Sequence, residues 1–112
     1  MSTILDIENI KITSVNRKYG KGFYLTNEYR TFKSVISHNC RRGIAIKPPY
    51  RVQIFLAMYL DIDNPVKCIL DGLADAGIID NDRNITELLV IKEPIKKNKL
   101  GRIKVDIFGG QK

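Results

Sequence analysis

The sequence predicts a small single domain of the α/β type, more narrowly α+β, with two main helices packed on a mixed sheet. Three observations predict this fold. The chain has 112 residues, the length of one domain with a sizeable core, so we expect that domain over residues 1–112. Two segments carry apolar residues at helical spacing, and four have the alternation or the apolar run of strands.

The first half of the chain is predicted to form a strand, a loop and a helix. Residues 4–15 alternate loosely and are rich in isoleucine, as expected of a strand. Residues 16–22, NRKYGKG, contain two glycines and several polar side chains, which are typical of a loop. A helix is expected over about 27–42, with Thr26 as its cap. The apolar residues that share one face of this helix are Tyr29, Phe32, Val35, Ile36 and Cys40.

The second half begins with a long strand and a second helix. Residues 50–62 are almost free of charge, which indicates a mostly buried strand. Asn64 is the expected cap of a helix over 65–76, which Gly77 ends.

The last third of the chain is predicted to be a β-hairpin. One strand is expected over 85–94 and the closing strand over 103–108, where apolar and polar residues alternate. The lysine-rich turn at 96–99 would be the tip of this hairpin.

The charge and the cysteines indicate the partner and the compartment. A net charge of +7 and a pI near 9.5 favour a polyanionic partner, above all nucleic acid, although some small basic proteins bind nothing acidic. No apolar run is long enough for a membrane span, and the N-terminus does not resemble a signal peptide. We therefore expect a cytoplasmic protein with no membrane partner, in which Cys40 and Cys68 are reduced and buried and His38 lies on a helix surface.

Two basic groups are candidate phosphate contacts. Arg17, Lys18 and Lys21 lie in the polar loop around an aromatic residue, a pattern that suits DNA binding but also a merely solvated loop. Arg41 and Arg42 close the first helix, where they favour either a phosphate contact or an interaction with the helix dipole.

The segment from Asp61 to Asp82 is rich in acidic residues, although the whole chain is basic. It holds six of the twelve acidic residues and one base, a charge of −5, which leaves +12 for the other ninety residues. Clustered carboxylates usually share a cation or a proton, although a solvated polar turn is the simpler alternative. Asp61 and Asp63 are two residues apart at a strand end, and Asp82 can return beside them if the next strand joins the same sheet.

Three such carboxylates suit Mg²⁺ or Mn²⁺ and, in a basic protein, phosphodiester hydrolysis. Lys67 is placed to hold the scissile phosphate or orient the attacking water, or else to form a salt bridge with Asp63 or Asp71. A calcium-binding EF-hand at 80–91 is excluded because Ile85 and Ile91 occupy the positions of its glycine and its glutamate.

The same segment, DIDNPVKCILDGLADAGIIDND, resembles the signature of the RusA-type Holliday junction resolvases, which are endonucleases of phage and prophage origin. The resemblance is carried by DxDNxxK, by Asp71 with the stretch after it, and by an aspartate-rich turn that closes with Asp82. Many family members have two adjacent aspartates in that turn. This chain has Asn81 before Asp82 and an additional Asp80.

The resemblance implies a small RusA-like fold that works as a homodimer in a bacterial cytoplasm. Each subunit would cut one strand of a four-way DNA junction in a Mg²⁺-dependent reaction of recombination and repair, with Mn²⁺ as a substitute. By position, Asp61, Asp63 and Asp82 would be the metal-binding catalytic carboxylates, and Lys67 the catalytic lysine. The DNA-binding residues would be the bases at 17, 18, 21, 41 and 42, together with Lys96, Lys97 and Lys99.

Two functions are therefore compatible with the sequence. The first is a crossover junction endodeoxyribonuclease, and the second is a non-catalytic protein of the same fold that binds junction DNA. The complete DxDN motif with Lys67 and Asp82 favours the enzyme.

Overall fold

A computed structural model describes residues 2–10, 27–41, 46–59, 63–96 and 99–109 of the chain. Within them, two helices pack on one face of a four-stranded mixed sheet, which confirms the predicted fold class. The elements in chain order are β1 (Ser2–Ile10), α1 (Asn27–Asn39), β2 (Tyr50–Met58), α2 (Asp63–Asp75), a 3₁₀ turn (Asp82–Asn84), β3 (Ile85–Pro94) and β4 (Gly101–Phe108).

The strand order in the sheet is β1-β4-β2-β3. β4 lies antiparallel to both β1 and β2, whereas β2 and β3 are parallel. The predicted hairpin between the last two strands is therefore wrong, because β2 lies between β3 and β4. Parallel neighbours need a crossover, and α2 supplies it between β2 and β3.

The most buried strand, β2, occupies the interior of the sheet. Val52, Ile54 and Leu56 are at most 2% exposed and face the helices, as the uncharged run of residues predicts. The strand ends at Met58 rather than at residue 62, and Tyr59 is 53% exposed. β1 begins two residues before the predicted start and ends at Ile10, and residues 11–15 lie outside the described part of the chain.

The two helices cross closely at Gly72. A Cβ atom on this glycine would lie 2.7 Å from Cγ2 of Ile36 on α1, well inside van der Waals contact. α1 ends at Asn39, earlier than predicted. α2 begins two residues before the predicted first position, so that Asp63 belongs to the helix instead of an extended continuation of β2.

The end of α2 confirms the role of Gly77. Its φ of 76° is accessible to glycine at little cost. The amide of Gly77 donates to the carbonyl of Ala74, and that of Ile78 donates to the carbonyl of Leu73, both at 3.0 Å. These two bonds form a Schellman motif, which satisfies carbonyls that the helix leaves unpaired.

The other face of the sheet, called the open face here, has no helix of the described residues over it. Arg102 on β4 donates two hydrogen bonds to the Asp6 carboxylate on β1, at 2.8 and 2.9 Å. This charged hydrogen bonding holds the pKa of Asp6 below its ordinary 3.8. Farther along β4, the guanidinium of Arg51 lies 5.2 Å from the ring centre of Phe108.

Three smaller expectations can also be compared with the structure. Cys40 and Cys68 are buried thiols, and His38 is exposed on α1, as predicted. Among the described residues, no helix combines the length and the hydropathy of a membrane span.

Candidate active site

The beginning of α2 carries the first part of the predicted site. Asp63 is the first residue of the helix, and Lys67 follows one turn later with an exposed side chain. Residues four apart share one helix face, so positions 63 and 67 lie on the same side of α2. Asp61 and the side chains of Asp63 and Asn64 lie outside what the structure describes. The backbone thus brings one predicted carboxylate position next to the predicted lysine.

Asp82 belongs to a short turn held by its neighbours. The Oδ1 atom of Asn81 accepts a hydrogen bond from the amide of Arg83 at 3.0 Å, and the Oδ1 atom of Asp80 accepts one from the Asn84 side chain at 2.9 Å. The Asn84 bond is the main reason that the pKa of Asp80 is lowered from 3.8. Asn81 and Asp80 therefore stabilise the 3₁₀ turn that Asp82 begins, which gives a structural reason for asparagine at position 81.

The same turn is tied to the start of β2. The amide of Asp80 donates to the hydroxyl of Tyr50 at 3.3 Å, and the hydroxyl of Thr86 donates to the Tyr50 carbonyl at the same distance. Tyr50 is only 2% exposed. The turn is thereby fixed against the first residue of β2, at the opposite end of that strand from α2's first turn.

Three polar contacts join α2 to α1. The hydroxyl of Tyr29 donates to the Asp71 carboxylate, and the Sγ of Cys68 donates to the Tyr29 carbonyl at 3.5 Å. One turn farther on, Lys33 lies 3.1 Å from the Asp75 carboxylate. Tyr29 is 1% exposed, so the first of these contacts comes from within the core. Sequence reasoning assigned Tyr29 only to an apolar face, and its hydroxyl gave no further signal.

Topology separates the two halves of the predicted site within one chain. Because β3 runs parallel to β2, it begins beside the first residue of β2. Asp82, which lies just before β3, is therefore near the start of β2. Asp63 begins α2 and Asp82 lies beyond its other end, a separation on the order of 20 Å for a helix of this length. The described backbone of one chain therefore does not bring Asp82 beside Asp63. Asp61 and the side chain of Asp82 lie outside what the structure describes, so the grouping of the three carboxylates stays a prediction. Among the described residues, no three acidic, histidine or cysteine side chains are grouped to hold a metal.

A protein-family model described as Endodeoxyribonuclease RusA matches residues 53–108. This match covers half of the chain, from within β2 to the end of β4. The chain belongs to the RusA family. No curated protein matches it. Membership of the RusA family confirms the resemblance seen in the sequence and supports endodeoxyribonuclease activity, whereas the metal requirement and the homodimer stay predictions.

The predicted DNA contacts of this RusA chain are only partly described. Arg41, Lys96 and Lys99 are exposed, whereas residues 17, 18, 21, 42 and 97 lie outside the described ranges. The amide of Arg41 donates to the carbonyl of Ile4 at 2.8 Å, near the start of β1. Lys96 follows the end of β3, which pairs with the end of β2, so it belongs to the end of the sheet where α2 begins.

Proposed function

We propose that the protein is a Mg²⁺-dependent, structure-selective endodeoxyribonuclease that resolves four-way DNA junctions as a homodimer. The observation that carries the proposal is the RusA match over a segment in which α2 presents an exposed Lys67 one turn after Asp63. A bonded turn around Asp82 belongs to the same segment. The charge of +7 supports a polyanionic substrate.

The donor set suits the proposed metal. Asp61, Asp63 and Asp82 would supply hard carboxylate oxygens, which Mg²⁺ and Mn²⁺ prefer over the thiolate and imidazole ligands of zinc. One chain holds Asp63 and Asp82 at opposite ends of α2, so we infer that each site combines Asp61 and Asp63 of one subunit with Asp82 of the other. A two-fold axis then creates two equivalent sites, one for each strand to be cut.

The metal, Lys67 and the first turn of α2 would each stabilise the phosphate that is cut. When bound, Mg²⁺ would neutralise charge on the phosphate and lower the pKa of a coordinated water. The exposed ammonium of Lys67 would hold a nonbridging oxygen of the scissile phosphate as negative charge develops there. The first turn of α2 points unpaired amides and the positive end of its dipole towards the same region, which favours an anionic backbone.

A labelled four-way junction and a linear duplex of the same arms test the proposal with Mg²⁺, Mn²⁺ or EDTA. We expect paired symmetric nicks on the junction alone, with cutting abolished by EDTA and by Asp63→Asn. The variant should still bind the junction at least as tightly, because it removes a negative charge from the DNA surface. Tight junction binding without nicks in any metal would refute the enzyme and support the non-catalytic binding protein.

A further inference from the structure

Tyr50 contacts the chain on both sides of Asp82. Its hydroxyl accepts a hydrogen bond from the amide of Asp80, and its carbonyl accepts one from the hydroxyl of Thr86, both at 3.3 Å. Asp82 lies between these two contacts, where it begins the 3₁₀ turn. One residue at the start of β2 therefore holds both ends of the segment 80–86, which carries a proposed metal ligand.

The contact after Asp82 falls at a β-bulge. Ile85 pairs with Tyr50 and Glu87 pairs with Arg51, so Thr86 is one extra residue in β3. Bulges interrupt the hydrogen bonding between strands and change the direction of the chain, and they often lie beside active sites. The bond from the Thr86 hydroxyl to Tyr50 thus fixes the chain at a point where the strand pairing is irregular.

The hydroxyl of Tyr50 connects the core with an exposed turn. Tyr50 belongs to the hydrophobic core, whereas Asp80, Asn81 and Arg83 are exposed. A short exposed turn opens locally at a low free-energy cost, but a buried aromatic ring is fixed by its packing. The bonds of Asn81 and Asp80 within the turn cannot orient it relative to the sheet, so that orientation depends on contacts such as those of Tyr50.

We propose that Tyr50 is a positioning residue for the nuclease site, whose buried hydroxyl holds the turn in the conformation in which Asp82 can bind a divalent cation. The proposal rests on the proposed function, which makes Asp82 a metal ligand. Tyr50 acts through the turn and touches neither metal nor DNA. When only a fraction of the molecules has the turn in place, the apparent metal affinity falls by that fraction.

Tyr50→Phe tests the proposal because it keeps the ring in the core and removes the hydroxyl. The distance of 3.3 Å is at the long end for such a bond, so we expect an effect in the lower part of the usual range, about 2- to 5-fold weaker Mn²⁺ binding. The electron paramagnetic resonance signal of free Mn²⁺ measures this affinity without DNA. Thr86→Val removes the second contact, keeps a β-branched side chain and should weaken Mn²⁺ binding in the same direction.

Two further variants are controls. Ile54→Val shortens a side chain that is 0% exposed and pairs with Val90, away from the turn. It lowers the stability of the same core and should leave the Mn²⁺ affinity unchanged, which separates positioning from a general loss of stability. Asp82→Asn removes the proposed ligand and should abolish the binding that Tyr50→Phe weakens. Circular dichroism shows whether each variant is folded.

A folded Tyr50→Phe variant with the Mn²⁺ affinity of the unsubstituted protein would overturn the proposal, as would an Ile54→Val variant weakened to the same extent. If Tyr50→Phe is unfolded, an unchanged Mn²⁺ affinity in Thr86→Val has the same meaning. Weaker Mn²⁺ binding by Tyr50→Phe, in a protein that leaves junctions uncut, contradicts the proposed function alone. A protein that cuts junctions and loses Mn²⁺ binding with Asp82→Asn, but not with Tyr50→Phe, contradicts the positioning role alone.

Discussion

The hydroxyl group of Tyr29 provides a direct test of what holds α2 in place. Tyr29 is 1% exposed and donates a hydrogen bond to the Asp71 carboxylate, one turn after Lys67. Tyr29→Phe keeps the ring in the core and removes this donor from a half-buried carboxylate. A hydrogen bond to a charged group contributes about 1.5–3 kcal/mol, so we expect Tyr29→Phe to lower the free energy of unfolding by about that amount.

Urea unfolding followed by circular dichroism measures this loss. Tyr59→Phe is the control, because Tyr59 is 53% exposed, and a surface hydroxyl should change the unfolding free energy by less than about 0.5 kcal/mol. Combining Tyr29→Phe with Asp71→Ala in a double-mutant cycle isolates the pair, and the coupling energy should be about 1.5–3 kcal/mol. A coupling energy near zero, or a Tyr29→Phe variant as stable as the Tyr59→Phe control, would refute the assigned role.

Three further perturbations test other parts of the structure. Asn81→Ala removes the acceptor of the Arg83 amide and should cost about 0.5–2 kcal/mol in urea unfolding, whereas Asn81→Asp keeps an acceptor and should cost little. Gly72→Ala forces a Cβ against Ile36, and this overpacking should lower the free energy of unfolding by about 1–3 kcal/mol. The higher helix propensity of alanine should offset up to about 1 kcal/mol of that loss. A variant more stable than the unsubstituted protein would contradict the close crossing. Asp6 has a lowered pKa, so its contribution to stability is present above its unfolded pKa and lost as the pH falls through the folded value. The stability difference between the unsubstituted protein and Asp6→Asn should thus be constant near neutral pH and disappear below pH 3.8, and a difference that persists there would contradict the pairing with Arg102.

The parts of the fold that the sequence predicts well are those with strong local signals. The uncharged run of β2, the apolar stripe of α2 and Gly77 each follow from residues close together in the chain, and the structure confirms all three. The element boundaries shifted by a few residues, because the end of a helix or strand depends on its tertiary neighbours.

The strand order was not predictable from the same signals. A basic turn between two alternating segments is the ordinary pattern of a hairpin, yet β2 takes the place between β3 and β4. Alternation specifies which face of a strand is buried and leaves open which strand it pairs with. The expected return of Asp82 required only that β3 join the same sheet as β2, and the sequence left the direction of β3 open. A parallel β3 begins at the far end of β2 from Asp63.

The residue types of the candidate site come from the sequence and stay a prediction, whereas the contacts that support these residues were not foreseen. Spacing alone indicated Asp63, Lys67 and Asp82 as one group, and the RusA match supports that choice of family. The bonds of Asn81, Asn84 and Tyr29 depend on side chains that meet only after folding.

Mixing Asp63→Asn with Asp82→Asn tests whether one nuclease site uses residues of two subunits. Asp63→Asn and Asp82→Asn are refolded together, and nicking of a labelled four-way junction with Mg²⁺ is measured beside each variant alone. In a site shared between subunits, a mixed dimer holds one intact site and one with both substitutions. Random exchange makes half of the dimers mixed, so about a quarter of the unsubstituted nicking rate should return, as single rather than paired nicks.

A mixture of Asp61→Asn with Asp63→Asn is the control, because both substitutions fall in the same half of every site and no activity should return. We expect nicking to recover in the first mixture and not in the second. No recovery in the first mixture, from variants that each bind the junction and form dimers, would contradict a nuclease site completed by Asp82 of the partner subunit.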